Sequence, residues 1–155
     1  MAAAEEAVGS QISTMEPASF LNLDLELRSR YELAPLARYL EDHASLLYAG
    51  KFGEDYQITA EPLIGGHSNQ SAEACTGELL TTIVSLPKDL RDLFEGAHVR
   101  LFDYGFNGGL DERPCAVDIP ATQLLGMAEL GIGLRVSVYP HKGDSTAREG
   151  SDVNV

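Results

Sequence analysis

The sequence predicts an α+β fold: a mainly antiparallel sheet with about three helices packed on one face. Two periodicities and an internal echo predict it. Phe20–Arg28 alternates at period two, with Leu21, Leu23, Leu25 and Leu27 on one face and Asn22, Asp24, Glu26 and Arg28 on the other. That is a half-buried strand whose leucines need a covering layer. Leu33, Leu36, Ala37 and Leu40 recur at i, i+3, i+4 and i+7, the stripe of an amphipathic helix that can supply such a layer. The run Leu36…Leu40…Ser45-Leu46-Leu47-Tyr48-Ala49-Gly50 is echoed by Leu90…Phe94…Arg100-Leu101-Phe102-Asp103-Tyr104-Gly105. Each half therefore reads strand–helix–strand–turn. A duplicated ferredoxin-like arrangement of β-α-β units, with roughly five to seven strands, is the best single expectation.

In chain order, residues 1–19 read as a flexible arm with a short helix at Ala2–Val8, 20–140 as one globular domain and 141–155 as a disordered polar tail. After the Phe20–Arg28 strand, the first helix spans Glu32–Asp42, with Pro35 in its first turn where a missing N–H costs little. Ser45–Ala49 and Tyr56–Ala60 form a hairpin around the turn residues Gly50–Asp55. Pro62–Thr76 is the longest polar stretch and reads as a loop. Gly77–Leu86, with Thr81, Thr82, Ile83 and Val84, has the β-branched content of a strand. Pro87 opens a helix that buries Leu90, Leu93 and Phe94 and stops at Gly96. Val99–Phe106 is a strand broken by Asn107-Gly108-Gly109. Cys115–Ile119 reads as a short strand. Pro120 starts a third helix with Leu124, Leu125, Met127 and Ala128 inside, and Ile132, Leu134, Val136 and Val138 form the last strand.

The 155 residues suit one domain, and 44% hydrophobic content suffices for a core without metals or disulfides. The formal net charge of −13 argues against nucleic acid and against an anionic membrane surface, and favours basic partners. The opening Met-Ala-Ala-Ala-Glu-Glu has the features of no secretory signal, and no run approaches a membrane span, so a cytoplasmic location is expected. Cys75 and Cys115 are too few for a disulfide scaffold and are expected to be reduced.

No motif states a chemistry. His43, His67, His98 and His141 show no i, i+4 pair and no zinc-like spacing with cysteine, so no metal is expected. There is no Gly-x-Ser-x-Gly elbow. The glycine-rich stretch Gly105–Gly109 leaves a strand without opening a helix, which makes it a poor phosphate cradle. No carboxylate pair stands out as general acid and base. No catalytic residue and no cofactor are predicted. Asp103 depends on register: it shares a face with Leu101 in one, while Arg100, Phe102, Tyr104 and Phe106 share the other. It is read either as part of a contact rim with Tyr104 and Asn107 or as an exposed strand end.

From Leu86 to Tyr139 the chain resembles small bacterial domains of the immunity-protein kind. The resemblance is carried by Tyr104-Gly105-Phe106-Asn107-Gly108-Gly109, a helix over Ala121–Leu130, the turn Glu129-Leu130-Gly131-Ile132 and a last strand ending Val138-Tyr139, about a third of the chain. It implies a non-enzymatic acidic protein that neutralises a cognate toxin domain, a basic one by charge complementarity, through protein–protein contact. The contact candidates are Asp24, Glu26, Asp103, Tyr104 and Asn107. Two alternatives stand beside it: a small-molecule-binding or regulatory ferredoxin-like module, with Gly65–Ser71 and Asn107–Gly109 bordering a pocket, and a small enzyme of unrecognised type. The oligomeric state is left open.

Overall fold

Leucine alternation, amphipathic stripes and turn residues resolve, in a computed structural model describing residues 16–63 and 70–141, into five strands and four helices. In chain order these are β1 (Ser19–Ser29), α1 (Ala34–His43), β2 (Ser45–Phe52), β3 (Asp55–Glu61), α2 (Ala72–Val84), α3 (Lys88–Glu95), β4 (Val99–Asn107), α4 (Ala121–Glu129) and β5 (Gly133–Tyr139). The sheet order is β2-β3-β1-β4-β5. β1 is antiparallel to both β3 and β4, β2 is antiparallel to β3, and β5 runs parallel to β4.

Register places the leucines of β1 in the core. Leu25 lies opposite Ala60 on one side and Phe102 on the other, and Leu27 lies opposite Ile58. Leu23, Leu25, Leu27, Ile58 and Phe102 form one buried cluster with Leu36 and Leu40 of α1, Leu79 and Ile83 of α2, Phe94 of α3 and Met127 of α4. All four helices therefore cover the same face of the sheet. A β-bulge between Phe20 and Asn22 shifts the alternation, so Leu21 is exposed while Phe20 meets Phe106 edge-on. Arg100 ties two helix ends to the sheet by donating to the carbonyls of Phe94 and Glu95 in the last turn of α3 and of Gly131 just beyond α4, where a cation suits the negative end of each helix.

The fold is α+β, but it differs from the expectation in three respects. The sheet is mainly antiparallel as expected, but its last pairing, across the β4–α4–β5 crossover, is parallel. The first four strands, with α1 and the α2–α3 pair, follow the β-α-β-β-α-β order once only. The echoed second half does not build a duplicate; α4 and β5 extend the sheet by one strand.

The third difference is Gly77–Leu86, which is the body of α2 and not a strand. Ala72, Cys75, Thr76, Leu79 and Ile83 make its buried stripe. The Ser71 hydroxyl accepts from the N–H of Ala74 as an N-cap. Thr81 and Thr82 donate back to the carbonyls of Gly77 and Glu78 at 2.9 and 3.1 Å, so their β-branched side chains are satisfied inside a helix. Cys115–Ile119 forms no strand. Leu124 and Leu125 of α4 are exposed, and Met127 carries the helix's core contact. The Ala2–Val8 helix, His67 with most of the Gly65–Ser71 loop, and the tail beyond His141 lie outside the described residues.

Candidate functional site

With every helix on one face, the other face of the sheet is left without a covering layer among the described residues. Strand alternation decides what stands on it. β1 contributes Asn22, Asp24, Glu26 and Arg28; β3 contributes Gln57, Thr59 and Glu61; β4 contributes Leu101 and Asp103; β5 contributes Arg135 and Ser137. Asp24 and Asp103 are directly opposite each other, a like-charge pair that is unfavourable unless neighbours compensate.

The compensation is uneven. Glu26 accepts from Arg28 at 3.2 Å and from Arg135 at 3.0 Å. Asp103 accepts from the Ser137 hydroxyl at 2.7 Å and from Arg135 at 3.5 Å. Asp24 and Glu61 share only the Asn22 amide, which donates to them at 3.1 and 2.9 Å. Four carboxylates thus converge where two guanidinium groups answer them. Burial pushes the Asp24 carboxyl up to about 7, and the charge of Glu61, a hydrogen bond with it and the charges of Asp103 and Glu26 push the same way. The cause is physical: a half-buried acid among acids keeps its proton because ionising it adds repulsion and loses solvation. At the margin of this face Phe52 lies beneath the Arg28 guanidinium, 4.6 Å from it. Tyr48, exposed, donates its hydroxyl to the carbonyl of Lys51.

Three of the five expected contact residues, Asp24, Glu26 and Asp103, meet on this face. Tyr104 does not. It is 2% exposed on the helix-covered face, where its hydroxyl lies 2.8 Å from that of Thr76, so its expected place on a contact rim is corrected to the core. β4 takes the register with Phe102 and Tyr104 inward, which turns Asp103 outward. Asn107 ends β4, and its side-chain oxygen accepts from the Gly109 N–H at 3.3 Å, a turn-closing role. Glu61, Arg135 and Ser137 were not singled out by sequence. Period-two alternation in β3 and β5 would have placed each on the outward face, but neither the strand order nor their proximity to β1 is written in that pattern.

Elsewhere, Cys75 is buried in α2 and Cys115 is exposed, both free thiols. His98 lies 3.4 Å from Asp55. Among the described residues no group of three or more His, Cys, Asp or Glu side chains is arranged to hold a metal ion. No helix among them is long and apolar enough to cross a membrane. Comparison with known proteins finds no matching family model, no matching curated protein and no matching solved structure.

Proposed function

We propose that this chain is a non-enzymatic binding protein that docks a basic protein partner on the open face of its sheet. Most concretely, it is an immunity protein that covers the active site of a cognate toxin domain. One observation supports the reading: among the described residues four carboxylates, Asp24, Glu26, Glu61 and Asp103, converge on an uncovered face where only Arg28 and Arg135 answer them. A lysine or arginine from a partner would take the place of the Asp24 proton and relieve the repulsion. Complementary charge would speed encounter, and the flanking Tyr48 and Phe52 would supply apolar anchors.

The test is affinity capture from a lysate of the source organism at low and then high salt, read by mass spectrometry. The control is an Asp24→Lys/Glu61→Lys variant, which inverts two carboxylates that hold no arginine. A basic protein retained in stoichiometric amount by the wild type and lost by the variant supports the proposal. Equal retention by both proteins removes this face from it.

A second reading rests on a groove of about 360 Å³ between α1 and the β2–β3 hairpin. Leu33, Ala37 and Ile58 give it an apolar lining, and Arg38, Glu41 and Lys51 supply charge, the make-up of a small-molecule site. It lies away from the Asn107–Gly109 loop expected to border a pocket. A metabolite screen by thermal shift, repeated on Ala37→Leu to fill the groove, tests this reading.

A further inference from the structure

Among the described residues the sheet has two free edges, β2 and β5, and they differ. β2 is broken by a register shift between Leu46 and Tyr48 and carries Lys51, two devices that discourage strand addition. β5 pairs with β4 over seven residues without a shift and has no lysine, proline or acid within it. The carbonyl of Tyr139 accepts from the Gly108 N–H on the β4 side at 2.8 Å. In a strand the N–H and C=O of one residue point to the same edge, and successive residues alternate. Gly133, Arg135, Ser137 and Tyr139 therefore bond to β4, and Leu134, Val136 and Val138 turn their main-chain groups to the free edge. The side chains of those three residues stand on the helix side of the sheet, yet they are 49%, 56% and 64% exposed. α4, which leads into β5, leaves Leu124 and Leu125 exposed as well.

We propose that this edge joins a second copy of the chain in a two-fold antiparallel β5–β5 pairing centred on Val136. The segment Gly133-Leu134-Arg135-Val136-Ser137-Val138-Tyr139 complements itself in that register. Val136 faces the partner's Val136, and Leu134 faces the partner's Val138, so all three outward-bonding positions form hydrogen-bonded pairs with apolar side chains matched on one face. Gly133 comes opposite the partner's Tyr139, where an aromatic ring covers the bare glycine. Arg135 comes opposite the partner's Ser137, so no like charges meet.

Charge favours this edge over the rest of the surface. Copies of a chain of net charge −13 repel one another, but the only formal charge on β5 is the positive Arg135. At the exposures of Leu124, Leu125, Leu134, Val136, Val138 and Tyr139, the apolar side chains of β5 and α4 offer on the order of 500 Å² per subunit toward such an interface. With the paired main chain the buried surface approaches the roughly 800 Å² per partner of a stable interface. An isologous contact closes at two copies. The axis runs perpendicular to the sheet, so both open acidic faces lie on the same side of the ten-stranded dimer. The pairing does not depend on what those faces bind.

Sedimentation equilibrium of the full chain across micromolar concentrations tests this. Twice the chain mass is expected for the wild type. Val136→Asp, which would bring two carboxylates together at the axis, is expected to weaken the dimer by about a hundredfold or more. Because Val136 lies outside the core, the circular dichroism of the variant should match the wild type. Leu47→Asp on the opposite edge should dimerise as the wild type does. A Val136→Cys variant in a Cys115→Ser background should cross-link to a covalent dimer with a short bismaleimide, which spans the separation of a hydrogen-bonded antiparallel pair. A wild type that stays monomeric, a dimer indifferent to Val136→Asp, open-ended polymers, or a Val136→Cys protein that does not cross-link would each overturn the proposal.

Discussion

Asp24→Asn should stabilise this protein, and only at neutral and alkaline pH. The Asp24 carboxyl, ordinarily ionised above about pH 4, is pushed up to about 7 by burial and by the acids around it. The folded state therefore holds this proton more tightly than the unfolded state does. Between about pH 4 and 7 the native protein binds more protons than the unfolded chain, so stability falls as pH rises through that window and then levels off. A shift of about three pH units corresponds to about 4 kcal/mol in full. Solvent at the half-buried side chain screens much of it, leaving about 1–2 kcal/mol. Asparagine is neutral at every pH and nearly isosteric. Its oxygen can still accept from Asn22, and its amide can donate to Glu61. Asp24→Asn should then match the wild type near pH 4.5 and exceed it by about 1–2 kcal/mol at pH 8, a rise in Tm of about 2–8 °C. Thermal unfolding of both proteins at the two pH values measures this, and carboxyl-carbon NMR locates the titration directly. A gain of equal size at both pH values, or a loss at pH 8, would refute the account of Asp24 as a proton-holding acid among acids.

Three further outcomes are expected. Tyr104→Phe removes the buried hydroxyl that faces Thr76 and should cost about 1 kcal/mol in urea unfolding while leaving capture of a partner unchanged; weakened capture with unchanged stability would return Tyr104 to the contact surface. Gly109→Ala should cost about 1–3 kcal/mol, because Gly109 has φ +62° and a Cβ there would collide with the Ala18 main chain; an unchanged Tm would show that the turn after β4 relaxes freely. Ser71→Ala removes the N-cap of α2 and should lower stability by about 1 kcal/mol, with hydrogen exchange rising first at the N–H of Ala74.

Much of the sheet was legible because alternation is a local signal with a single physical meaning. Leu23, Leu25 and Leu27 have one face to bury, and the outward set Asn22, Asp24, Glu26 and Arg28 follows from it. α1 was legible for the same reason. α2 was not. Thr81, Thr82, Ile83 and Val84 favour a strand by local preference, and what overrides it is the Ser71 cap together with a stripe from Ala72 to Ile83 that meets β1 and Tyr104. Helix preference is a weak prior that packing reverses. The apolar content of β5 was legible, but not its exposure. Leu134, Val136 and Val138 read as core until the strand order puts them at the sheet edge.

The acidic face divides in the same way. Alternation alone puts Asp24 and Glu26 together on the outward side of β1, because side chains on a strand alternate whatever lies beside them. Strand pairing and packing turn Asp103 outward rather than Tyr104, bring Glu61 and Arg135 next to β1, and set all the described helices on the opposite side. Those facts depend on the order and register in which distant strands pair, and pairing is settled by the core as a whole. Periodicity within a single strand carries no record of its neighbours.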